Sequence, residues 1–187
     1  MVKKNSCIFI SGAGTNLKAL IQSSRRYNFP INVKLVVSNK KNAMGLVFAK
    51  RYSIPFKVID TNNTLFEKKL INEINKRKIS LICLAGYMKI LSKKFINNFK
   101  GKIINIHPSL LPKYKGTNTF SRILKDKQKK TGCTVHFVNE RLDSGKIILK
   151  KSFLIKKNEN IETLKKKTQK IEYNAFSEAI TRLYSSI

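Results

Sequence analysis

The chain has 187 residues, 42% of them hydrophobic, and its 39 Lys+Arg against 10 Asp+Glu give a formal net charge of +29. The excess is almost all lysine spread over every segment, which points to compositional drift and away from a nucleic-acid surface, where Arg and aromatic residues interleave in a patch. The length suits one domain over 1–187 with a substantial core, and neither a leader nor an apolar run near the ~18 residues of a membrane span is seen, so a cytoplasmic protein away from membranes is expected.

In chain order, Cys7 to Ile10 reads as a short apolar strand. Ser11-Gly12-Ala13-Gly14-Thr15-Asn16 follows, and Leu17, Ala19, Leu20 and Ile21 then fall at helical spacing. A glycine turn between strand and helix presents backbone N–H groups to an anion, so a phosphate fits here. The turn is neither a dinucleotide fingerprint nor a P-loop, because Leu17 stands at the third glycine's place and no Gly-Lys-Ser/Thr ending follows. Read structurally, it is a tight turn capped by Thr15 or Asn16.

The alternation continues with a strand at Val33 to Val37, a helix at Ala43 to Tyr52, a strand at Phe56 to Ile59 and an amphipathic helix from Leu65 to Lys78 with Leu70, Ile71 and Ile74 on one face. Leu81 to Ala85 is the next strand, Ser92 to Phe99 a short helix capped by Ser92, and Ile103 to Ile106 a fifth strand. This pattern predicts an α/β fold: a doubly wound, mostly parallel twisted sheet with helices on both faces, binding ligands beyond the carboxyl ends of its strands. Gly86-Tyr87-Met88 and His107 lie at such ends.

Asn105 and His107, two residues apart, project from one face of the fifth strand, and Pro108 fixes the backbone after them. An Asn side chain can donate to a developing oxyanion, and a His can move a proton near neutral pH. Beyond Gly116 a helix is expected at Phe120 to Lys127, with strands at Cys133 to Val138 and Lys146 to Phe153. The loop between those strands carries Asp143-Ser144-Gly145, good turn chemistry, but also a carboxylate able to reach His107, orient it and raise its pKa. Ile161 to Tyr184 reads as a long helix with Gln169 and Glu172 on one face. The cysteines, Cys7, Cys83 and Cys133, have no metal-ligand spacing and read as reduced core residues, so no metal is expected.

Taken together, SGAGTN, LAGYMKILS, NIHPSLLPKYKG, and VHFV followed by LDSG resemble the glycinamide ribonucleotide formyltransferases, in the right order over nearly the whole chain. The resemblance implies their fold and their reaction, the transfer of a formyl group from 10-formyltetrahydrofolate to the amine of glycinamide ribonucleotide. It implies Asn105, His107 and Asp143 as catalytic residues, and a substrate site at Gly14, Thr15 and Asn16 for the phosphate and at Glu172 for the ribose, with Gln169 a nearby candidate. It implies a folate site along Met88, Lys89, Ile90 and Leu91 and the stretch from Asn139 and Glu140 to Asp143, bordered by Asn105. Departures are Lys146 where many relatives have proline, Tyr173, Asn118 and Phe120 where histidines are frequent, and no counterpart of a cofactor-contacting arginine near Leu65. A monomer or homodimer is expected. Methionyl-tRNA formyltransferase, formyltetrahydrofolate hydrolase and a basic RNA-binding module are the alternatives. The first two normally carry a further domain.

Overall fold

The computed structural model describes residues 2–60 and 66–185. In order, the elements are β1 (Lys4–Ile10), α1 (Thr15–Ser24), β2 (Ile31–Ser38), α2 (Leu46–Arg51), β3 (Phe56–Val58), α3 (Phe66–Lys76), β4 (Ile79–Leu84), α4 (Lys93–Asn98), β5 (Lys102–His107), α5 (Thr119–Lys125), β6 (Lys130–Phe137), β7 (Ile147–Leu154) and α6 (Ile161–Tyr184). The strands form one mostly parallel, seven-stranded sheet in the order β3-β2-β1-β4-β5-β6-β7. Every expected element is present. The expected start of the third helix, Leu65, and with it the place of the missing arginine, lie outside the described residues. No described helix is long and apolar enough to cross a membrane. Contacts divide the chain into two compact units, Met1–Ile104 and Asn105–Ile187.

In the first unit β1 pairs in parallel with both β2 and β4, and β2 with β3. Parallel strands covered on both faces read as continuous apolar runs, and Cys7, Ile8, Phe9 and Ile10 are all fully buried. The chain passes from β1 to β2 on one side and takes up β4 on the other, so a topological switch point lies between β1 and β4. Ser11 ties the two loops there: its N–H donates to Gly86 O at 3.2 Å, and its hydroxyl accepts from Met88 N–H at 2.8 Å.

The cap expected at Thr15 or Asn16 is not used. Gly14 is the N-cap of α1, with φ 71° and no side-chain cap bond. A Cβ on Gly14 would lie 2.4 Å from Gly45 Cα, and this backbone approach, closed by Gly45 N–H donating to Gly12 O at 3.0 Å, selects glycine over a capping side chain. Ser92 does cap α4, accepting from Phe95 N–H at 3.0 Å.

In the second unit β6 and β7 form an antiparallel hairpin, and α6 covers it with Leu164, Thr168, Ala175, Phe176, Ala179 and Ile180 fully buried. A capping box between Asn160 and Thr163 starts that helix. All three cysteines are buried thiols. Burial raises the pKa of each, that of Cys133 to about 12, which suits core residues.

Candidate active site

The polar cluster of the second unit is built on the end of β5. Ile106 is buried on one face, while Asn105 and His107 share the other, as the two-residue period requires. The turn after Pro108 is held by buried hydroxyls. Thr134 Oγ1 donates to Ser109 O at 2.7 Å and accepts from Leu111 N–H at 3.0 Å, and Ser109 Oγ donates to Lys113 O at 2.7 Å. The turn contains a cis Leu111–Pro112 bond and delivers Tyr114 O to 2.8 Å from His107 Nε2. A carbonyl only accepts, so Nε2 carries a proton. Nδ1 faces Asp143 Oδ2 at 3.3 Å.

Asp143 comes from the loop between β6 and β7, which Phe137 N–H closes by donating to Lys146 O at 2.9 Å. Gly145 lies so close to that closure that a Cβ on it would stand 1.8 Å from Phe137 O. Space, and not backbone conformation, requires glycine in the Asp-Ser-Gly run. Gly145→Ala must displace backbone on one side of the loop, so we expect it to lose about 1–3 kcal/mol of stability in denaturant titrations. It should also lower turnover, because Asp143 moves with the loop. A variant of wild-type stability and rate would refute the packing argument.

The Asp143 carboxylate, 7% exposed, has both oxygens engaged. Oδ2 accepts from Gly116 N–H at 2.8 Å and faces His107, and Oδ1 accepts from Asn105 Nδ2 at 3.4 Å and lies 3.6 Å from His136 Nε2. Burial alone would raise its pKa, but the His136 ring, the Gly116 N–H and His107 outweigh that and hold it below the usual carboxylate value. Asp143 is therefore ionised at neutral pH.

His107 departs from expectation. A neighbouring carboxylate was expected to raise its pKa, and Asp143 does push it upward, as does Tyr114 O, but burial of a ring 5% exposed outweighs both and leaves it below the ordinary imidazole value. His136 and Arg122 add to the depression. At neutral pH the ring rests neutral with its proton on Nε2, and Nδ1, beside an ionised carboxylate, is the atom open to proton exchange.

His136 is the participant that the sequence reading did not single out. It lies on β6, 2% exposed, and its Nδ1–H donates to Phe137 O at 2.8 Å. Asn105 Nδ2 lies 3.2 Å from its Nε2, and the ring thus orients the amide. The available signal was its setting: one of only two histidines in the chain, it stands inside an apolar strand, where a buried imidazole needs a polar partner whichever face it takes.

The remaining candidates are distributed as follows. Glu172 is buried on α6 with Gln169 half-buried one turn before it, and Asn139 and Glu140 are exposed in the loop before Asp143. In the first unit, buried Gly14, half-buried Thr15 and buried Asn16 open α1. Its β4 loop exposes Met88 at 73% and Ile90 at 80%, with Lys89 between them, while Leu91 is buried. Two large apolar side chains standing in solvent at a switch point suit a flat, partly apolar ligand. Among the described residues no group of three or more His, Cys, Asp or Glu is arranged to hold a metal.

Comparison with known proteins adds the following. The family model described as Formyl transferase matches residues 4–180. A phosphoribosylglycinamide formyltransferase of Haemophilus influenzae is 41% identical over 92% of this chain and 84% of its own length. The trifunctional purine biosynthetic protein adenosine-3 of Gallus gallus is 42% identical over 95% of this chain, which spans only 18% of that protein's length. The crystal structure of phosphoribosylglycinamide formyltransferase from Brucella melitensis superposes with a TM-score of 0.91 at 34% identity, covering 99% of this chain and 97% of that one.

Proposed function

Because the chain belongs to the formyl transferase family, we propose that it transfers the formyl group of 10-formyltetrahydrofolate to the amine of glycinamide ribonucleotide in purine biosynthesis, releasing formylglycinamide ribonucleotide and tetrahydrofolate. The observation that carries this reading is the convergence of Asn105, His107 and Asp143, with Asp143 bonded to Gly116 N–H and both β5 side chains within 3.4 Å of it. An ionised carboxylate beside a neutral imidazole and a primary amide is a set of groups for moving one proton while an oxyanion forms.

In this mechanism the substrate amine attacks the formyl carbon directly, and the formyl oxygen becomes negative in a tetrahedral intermediate. The Asn105 hydrogen bonds are long, 3.2 and 3.4 Å, so the amide turns an N–H to the oxyanion at small cost. His107 takes the amine's proton at Nδ1, where Asp143 stabilises the resulting imidazolium and the positive ring opposes the oxyanion charge, and it gives that proton up towards Asp143 as the intermediate collapses. Asp143, through water, relays the amine's proton to the departing folate nitrogen. Gly14, Thr15 and Asn16 bind the phosphate through the start of α1, Glu172 and Gln169 the ribose, and Met88 to Leu91 with Asn139 and Glu140 the folate. The chemistry requires no metal and no covalent enzyme intermediate. We place the chain in the cytoplasm as one domain, monomer or homodimer, and assign its positive charge no nucleic-acid partner.

The test is a formyl-transfer assay with 10-formylfolate as donor, run with glycinamide ribonucleotide, with no acceptor, and with charged initiator tRNA. Deformylated folate should appear only with glycinamide ribonucleotide. Release without acceptor would make the protein a hydrolase, and release with tRNA alone would overturn the assigned acceptor.

A further inference from the structure

The turn between β5 and α5 holds a bulky residue in a conformation that disfavours one. Among the described residues, six other than glycine have positive φ: Ser53, Lys78, Tyr114, Asn118, Lys127 and Asp143. Ser53, Lys78 and Lys127 stand two residues beyond α2, α3 and α5, where a left-handed residue commonly ends a helix, and Asn118 is the N-cap of α5. Tyr114, at φ 58°, and Asp143, at φ 46°, terminate no helix and cap none, and both face His107. An aspartate tolerates this region, whereas a tyrosine does so only where its surroundings hold it.

Arg122 on α5 and Asp126, the C-cap of that helix, do so. Tyr114 Oη donates to Asp126 Oδ2 at 2.8 Å, and the Arg122 guanidinium lies over the Tyr114 ring, 5.5 Å from its centroid. Asp126 N–H in turn donates to Arg122 O at 3.0 Å. The side chain is thus clamped at its hydroxyl and across its face, and the backbone it fixes aims the carbonyl at His107 Nε2.

We propose that Tyr114 is a positioning residue for His107: the Asp126 and Arg122 clamp holds its left-handed backbone so that its carbonyl keeps the histidine proton on Nε2 and reserves Nδ1 for exchange beside Asp143. The groups facing His107 are Asp143, His136, Arg122 and the Tyr114 carbonyl; two of them are acceptors at opposite ring nitrogens, and the shorter contact, 2.8 Å from Nε2 to Tyr114 O against 3.3 Å from Nδ1 to Asp143 Oδ2, favours the resting proton on Nε2. A hydrogen bond at the far nitrogen that fixes tautomer and ring orientation is a general device for histidines that transfer protons. The inference rests on the proposed role of His107.

Two variants separate the parts of the clamp. Tyr114→Phe removes the hydroxyl bond and keeps the ring, while Tyr114→Gly accepts positive φ without strain but loses the side chain altogether. The readouts are the ring ¹⁵N spectrum of ligand-free protein, in which only two histidines contribute, and the steady-state kinetics of formyl transfer. Wild type should show His107 as a single Nε2–H tautomer. Tyr114→Gly should populate the Nδ1–H tautomer and lose about tenfold in kcat with KM within about twofold, and Tyr114→Phe should fall between. An unchanged tautomer or an unchanged kcat in Tyr114→Gly would overturn the proposal. A shifted tautomer in a protein whose wild type transfers no formyl group would instead overturn the function and leave the clamp standing.

Discussion

Replacing His107 by alanine is expected to lower kcat for formyl transfer by about 10²- to 10³-fold, with KM changed only a few-fold. In the proposed mechanism the substitution removes the ring that takes the proton at Nδ1 and, once charged, opposes the oxyanion. It also leaves Tyr114 O and Asp143 Oδ2 each short of a neighbour. Steady-state kinetics with both substrates varied, beside circular dichroism to verify the fold, measure the effect. Turnover near that of wild type would remove His107 from the mechanism.

Asp143→Asn should cost a comparable factor in kcat while keeping the shape of the site. Its amide oxygen can still accept from Gly116 N–H, but without the negative charge only the Tyr114 carbonyl counters the burial that depresses His107, and the proposed proton relay loses its carrier. The same substitution has a stability consequence whose sign follows from the lowered pKa of Asp143. A carboxyl with a folded pKa below its unfolded value contributes stability that is present above the unfolded value, about 3.9 for Asp, and is lost as pH falls through the folded value. Wild type should therefore lose stability on acidification from about pH 6 to about pH 3 more steeply than Asp143→Asn. Urea titrations across that range measure the difference, and parallel stability profiles would show that Asp143 is not held ionised as described.

The two variants also report on each other. Asp143, His107, Asn105 and His136 share hydrogen-bonding atoms, so the double variant His107→Ala, Asp143→Asn should be far less impaired than the product of the single effects.

Local pattern and chain parity determined much of this protein. The alternation of apolar runs with helical spacing specified the parallel strands, because strands covered on both faces must be apolar throughout and the crossovers between them amphipathic. The two-residue period put Asn105 and His107 on one face of β5, and Asp-Ser-Gly marked a turn that brings a carboxylate near them. Tertiary structure decided what no spacing encodes. His136 joins the cluster because β6 lies beside β5 in the sheet, which sets its ring 3.2 Å from Asn105, and Asp143 joins it because the β6–β7 hairpin returns at Gly145. The left-handed Tyr114 meets its two side-chain partners, Arg122 and Asp126, only where α5 packs beside the turn. The resting charge of His107 is a balance in which burial lowers its pKa while Asp143 and the Tyr114 carbonyl raise it, and burial belongs to the packed fold and to no residue by itself.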